Sequence, residues 1–175
     1  MAILARPALN QAIAIIQKYQ SAAISDLGLS LDLIQEFHKG PKARTAFPWV
    51  TVAYEGTAFS ESSEQTREQH LLVVVALESG NFDSELAQDQ AIDYMRMLDY
   101  IFTVLSAPTF VDWETALPIQ HETVPGGVTT PWITGTVKEI FIEREEQSLV
   151  LREGLEVPVM QVSLHLRFDL EEAIS

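Results

Sequence analysis

The side chains in this chain that could do chemistry are four histidines, His38, His70, His121 and His165, and two groups of carboxylates. The histidines are scattered. His121-Glu122 is the one short pairing with a second possible ligand, and adjacent residues do not give a metal-binding spacing. His165 stands on the polar side of a period-two pattern, where a lone histidine is ordinarily a surface residue. Asp89 with Asp93, and Glu143 with Glu145 and Glu146, could work as acid and base only if burial split their pKa values. Their places on the wet side of a helix and in a charged stretch predict solvation instead. No G-x-S-x-G elbow, G-K-[ST] phosphate loop, G-x-G-x-x-G fingerprint or H-E-x-x-H pair occurs. The residues therefore predict no catalytic, cofactor-binding or metal-binding site, and so no enzyme.

The elements that would have to position such groups are organised around Ser84 to Ser106. Ala87, Ala91, Tyr94, Leu98, Ile101 and Leu105 recur at spacings of four and three and form one helical stripe, widened by Ile92, Met95 and Phe102. Asp83 or Ser84 can cap its start, and Pro108 follows its end. A stripe this wide needs a sheet to cover it. An earlier helix runs from Pro7 to about Leu27, with Leu9, Ala12, Ile16, Tyr19, Ala23 and Leu27 on one face and Gly28 as its stop. Leu29 to His38 fits a strand by alternation and a helical turn by the grouping of Leu33, Ile34 and Phe37, and the two readings stay open.

Strand patterns lie on both sides of the central helix. Trp49 to Glu55 alternates Val50, Val52 and Tyr54 against Thr51 and Glu55, and after a small polar stretch, Gly56 to Ser63, Thr66 to Glu78 ends in the run LLVVVAL. These predict an antiparallel hairpin with a long polar tip, its first strand nearer an edge and its second nearer the middle. Thr136 to Glu143 reads as a third strand. The last has the clearest period of two, with Met160, Val162, Leu164, Leu166, Phe168 and Leu170 facing one way and Gln161, Ser163, His165, Arg167 and Asp169 the other. The order α-β-β-α-β-β predicts an α+β two-layer sandwich: an antiparallel sheet of about four strands, helices on one face, and a second face open to water or to a partner. Residues 1–175 read as a single domain with excursions at 107–135 and 143–157. The first carries Phe110, Trp113 and Trp132, which suit a loop packed either on its own domain or on another chain.

Eleven basic against twenty-five acidic residues give a formal net charge of −14, which argues against gripping a nucleic-acid backbone through a broad positive face. Lys39, Lys42 and Arg44 in KGPKAR locally reverse that sign, as a solvated turn or as contacts to an acidic partner or neighbouring subunit. The chain has no cysteine, hence no disulfide and no thiolate metal site. Its apolar run from Ala12 to Ile16 is too short to cross a bilayer, and the start lacks the three regions of a signal peptide, so the expectation is a soluble, non-secreted protein without a membrane partner. Lack of catalytic signatures together with long excursions and open strand edges points to assembly.

PWVTVAYEG, a polar turn, EQTREQHLLVVVALESG, a helix ending in YIFTVL and a closing strand VMQVSLHLRFDLEE together resemble the tail terminator (tail completion, neck) proteins of long-tailed bacteriophages. The likeness is one of layout and covers most of the chain. The two excursions are longer than that family's minimal pattern. The resemblance implies a structural virion protein, assembled in the host cytoplasm into a homohexameric ring at the head-proximal end of the tail. That ring stops growth of the tail tube and joins the tail to the head connector, while DNA passes through its lumen without specific binding. Its partners would be further copies of itself, the tube protein, a head-side connector or neck protein and a sheath protein where one is present. It implies no cofactor. Lys39, Lys42, Arg44, Trp113 and Trp132 become the candidate partner contacts. The same layout suits another neck or head-closure protein of such a virion. From a different class, a small α+β enzyme could assemble a metal or carboxylate site from residues far apart in sequence, with His70 or His121 among carboxylates.

Overall fold

A computed structural model describes residues 5–40, 47–61, 66–80, 84–105, 122–123, 129–130, 136–151 and 159–173. Helix α1 covers Ala5–Leu27 and α2 covers Ser84–Tyr100, continued by a wider π turn over Ile101–Leu105. The strands are β1 (Glu36–Lys39), β2 (Trp49–Glu61), β3 (Thr66–Glu78), β4 (Glu122–Thr123), β5 (Thr129–Thr130), β6 (Thr136–Val150) and β7 (Val159–Ala173). Among the described residues β4 and β5 pair with each other, and the other five strands form one sheet in the order β1-β2-β3-β7-β6.

Helix α1 stops where Gly28 takes φ 64°, a left-handed conformation that an L side chain resists. Leu29 N–H then donates to the Ile24 carbonyl at 3.0 Å and closes the last turn. The open question at Leu29–His38 resolves into two parts. Residues 29–35 run without regular structure, pinned by Ile34 N–H donating to Gln20 Oε1 (2.8 Å) and by Tyr94 Oη donating to the Asp32 carbonyl (2.8 Å). The next four residues are β1, which joins β2 in parallel, Phe37 opposite Val50. The long strands pair antiparallel as their alternation predicts, and β1 makes the sheet five-stranded and mixed rather than four-stranded and antiparallel.

Both helices share one core with one face of this sheet. Ala12, Ile15 and Ile16 of α1 and Ala91, Tyr94, Met97 and Leu98 of α2 are buried with Val50, Val52, Leu71, Val73, Val75, Leu77, Val162, Leu164, Leu166 and Phe168. Along β3 and β7 alternate residues face the helices, as the period of two requires. The α2 stripe is rotated slightly from its sequence reading. Ile92 is 44 % exposed and Met97 takes the buried place, because Met97 lies three and six residues from Tyr94 and Ala91 on the inward side.

Two stretches expected to be irregular are strand. The polar tip from Gly56 pairs with β3 as far as Glu61, and β6 runs on through Glu143–Val150, so the expected excursion at 143–157 is ladder for its first eight residues. β2 and β6 absorb extra residues at β-bulges between Tyr54 and Gly56, Val137 and Glu139, and Ile142 and Arg144. The expected excursion at 107–135 lies outside the described residues except for β4 and β5.

The end of β3 meets the segment before β2 at Gly80, which has φ 77° and lies against the Phe47 ring. A Cβ there would collide with that ring. Gly80→Ala is therefore expected to cost more than about 1–3 kcal/mol through strain and steric displacement together, read as a fall in urea midpoint at constant slope.

Candidate functional site

The face of the sheet turned away from the helices carries a chain of polar contacts centred on β7. Register places His70 of β3 directly opposite Asp169, and His70 Nδ1 lies 2.6 Å from Asp169 Oδ1. Its other nitrogen, Nε2, is 3.0 Å from Ser60 Oγ on β2. Asp169 also accepts from Arg167 Nε at 3.0 Å, and Arg167 reaches Glu143 Oε1 at 3.1 Å while its guanidinium sits 4.4 Å from the Phe141 ring centre. The bond to Asp169, reinforced by both carboxylates' charge, raises the Arg167 pKa above its already high value. One row further along β7, His165 contacts Glu55 Oε2 (3.4 Å), Glu146 Oε2 (3.1 Å) and Arg144 (3.2 Å).

Two of these carboxylates owe their positions to the bulges. Glu55 and Glu143 are the extra residues of β2 and β6, and from opposite sides they reach His165 and Arg167 on the strands' common neighbourhood around β7. His165, expected to be a lone surface group, and His70 are thus joined to carboxylates supplied by other strands. At the far end of the same face, Trp49 Nε1 donates to Glu78 Oε2 at 2.5 Å, with both residues buried, and the His38 ring leans on Trp49.

Ser60, His70 and Asp169 have the order of contacts of a nucleophile, base and orienting acid. The described residues of this surface do not supply the rest of such a site. Ser60 is exposed on an open sheet, its hydroxyl also lies 3.4 Å from Glu68 Oε2, and successive N–H groups of an extended strand point to opposite sides instead of converging on an oxyanion. A fluorophosphonate probe is accordingly expected to leave Ser60 unlabelled, as read by intact-mass analysis. Among the described residues no group of three or more His, Asp or Glu side chains is placed to hold a metal ion. No described helix is long and apolar enough to cross a membrane.

A second feature lies on the helix side. Leu27, Met95, Arg96, Asp99, Tyr100, Thr103, Val104 and Glu145 line a cavity of about 290 Å³ between the end of α2 and β6. A hydrogen bond to Asp99, with burial and the Asp99 charge behind it, lifts the Glu145 pKa to about 7. Glu145 is exposed, as expected for the Glu143–Glu146 group, but it is not independent of its neighbours, since Asp99 sets its titration. Nearby, Tyr100 Oη donates to Asp26 Oδ2 at 3.0 Å, and that bond raises the tyrosine pKa.

The third feature is a free edge. Among the described residues β6 ends the sheet and pairs with β7 alone, and residues 143–149 are exposed, with Leu149 64 % and the following Leu151 79 % accessible. The other edge strand, β1, has only four residues. Of the sequence-derived contacts, Lys39 closes β1 and is exposed, its Nζ donating to Asn10 Oδ1 at 2.8 Å. Lys42, Arg44, Trp113 and Trp132 lie outside the described residues, as does His121.

No family profile matches the chain, and no curated protein matches it. Among solved structures, a chain of the "Virion of native gene transfer agent (GTA) particle" is similar in shape over 91 % of this chain and 93 % of its own, with a TM-score of 0.47 and 11 % identity.

Proposed function

We propose that this protein is a structural subunit of a phage-like virion and, more narrowly, a tail terminator: a ring, six-fold as that family's resemblance implies, that ends the tail tube and joins it to the head connector. The observation that carries the reading is the β6 edge. Fifteen residues of strand stand at the end of the sheet with one side of their backbone unpaired by any described strand, and two exposed leucines lie at the end of that edge. An edge that long is a template for another chain, and β1 at the opposite end of the sheet is neither as long nor as apolar. Two unlike edges favour head-to-tail contacts, which close into rings. The layout of helix, hairpin, helix and paired long strands supports the terminator reading within that class. On this reading the polar network on the sheet's outer face orders the strands and does no chemistry, and the net charge of −14 lets DNA pass without being gripped.

Native mass spectrometry over a concentration series, with negative-stain images of the product, tests the proposal. Hexamers with an open centre are the expected result. A chain that remains monomeric at every concentration, and also with tail tubes present, overturns it.

A further inference from the structure

Glu145 stands opposite Leu164 in the β6–β7 register and so turns to the helix side of the sheet, toward the cavity that Asp99 lines from α2. Asp99 is held in place from the π turn: Thr103 Oγ1 donates to the Asp99 carbonyl at 2.7 Å and lies 3.2 Å from its Oδ1. Two carboxyl groups can hydrogen-bond to each other only if one of them carries a proton. The geometry points to a proton-operated latch, in which one proton shared by Asp99 and Glu145 ties the exposed half of edge strand β6 to the end of α2, and loss of that proton to solvent unties it.

Among the described residues, the surrounding charges are engaged elsewhere. On α2, the Arg96 guanidinium lines the same cavity but bonds Asp93 at 3.3 Å, and Tyr100 donates to Asp26 of α1. The π turn contributes Thr103 and Val104, neither of which titrates in this range. On β6, Glu143 bonds Arg167, while Arg144 and Glu146 bond each other and His165 on the opposite face of the sheet. From β7 the residue facing Glu145 is Leu164, and its neighbour His165 turns to the other face, toward Glu55 and Glu146. When Glu145 ionises, two negative charges face each other across the cavity, and the bond between strand and helix becomes a repulsion.

The sign follows from linkage. The Glu145 pKa is raised in the folded chain to about 7 from 4.5. The latch therefore contributes fully below the ordinary carboxylate range and is lost as pH rises through about 7. If β6 is the subunit edge, as proposed above, the position of that edge and hence ring assembly inherit this dependence, but the latch itself does not rest on the ring.

Glu145→Gln separates a latch from mere proximity, because the amide donates to the Asp99 carboxylate with no titrating proton. Hydrogen exchange of peptides covering 143–150 is compared at about pH 6 and pH 8 in the wild type and this variant, after correction for intrinsic rates. The wild type is expected to lose about tenfold in protection across that range while Glu145→Gln keeps it. A carboxyl-carbon NMR titration gives a second reading that needs no variant, with a Glu145 midpoint near 7. Equal protection profiles for wild type and variant, or a Glu145 midpoint in the ordinary carboxylate range, overturns the inference. Neither measurement requires assembly, so the latch and the ring can fail separately.

Discussion

Replacing Phe168 by alanine is expected to destabilise the chain by about 3–5 kcal/mol, seen as a lower urea midpoint at an unchanged slope. The ring is fully buried on β7, with Leu71 opposite it on β3 and Ile140 opposite it on β6. Truncation to a methyl group removes apolar contacts on both sides of one residue and leaves a hole between the helices and three hydrogen-bonded strands. Those strands cannot move in to fill it without breaking ladder bonds, so the upper part of the range for aromatic truncations applies. Against a typical total stability of roughly 5–15 kcal/mol, the variant is barely folded at the low end. A loss under about 1 kcal/mol would show that β3, β7 and β6 do not share a rigid core.

The second large effect is on assembly and leaves folding nearly alone. Leu149→Lys combined with Leu151→Lys is expected to keep the denaturation midpoint within roughly 0.5 kcal/mol per site, the usual range for exposed positions, because both side chains are mostly in water. The same pair of changes is expected to convert rings to monomers in native mass spectra. Lysines at a strand edge oppose pairing because each ammonium would have to be dehydrated between chains. If the doubly substituted chain still assembles, β6 is not the subunit edge and the contact must be sought on another surface. If it unfolds, the two leucines are part of the core, contrary to their exposure.

Much of this structure was legible in the residues, and the failures have physical causes. The inward stripe of β7 could be read directly because helices cover one face and water or polar partners occupy the other, and β3 because it lies inside the sheet and carries a continuous apolar run. The second half of β6 could not. Glu143, Arg144, Glu145, Glu146, Gln147 and Ser148 lie at the sheet's end with both faces wet, so no apolar period marks them as a strand. The residues leave β1 open between strand and helix because four residues are too few to separate the two periods. The pairing of His70 with Asp169 depends on register, which a separation of 99 residues conceals from any local motif. The raised pKa of Glu145 likewise depends on Asp99, whose relation to it is set by how α2 lies across the sheet. Lys39 was singled out for its charge and proves to be exposed, with its ammonium bonded to α1.

The bulges have a consequence for shape. The extra residue Glu55 falls between rows that continue through Val73 and Leu72 to Leu166 and Arg167, and the extra residue Glu143 falls between Leu166 and His165 on the far side. Within about one row of each other, the two flanking strands are thus each one residue longer than the straight pair between them. A ribbon whose margins are longer than its midline cannot lie flat. At this level the sheet must bend and twist more sharply than a regular ladder does, much as a hem gathers when its edge is cut too long.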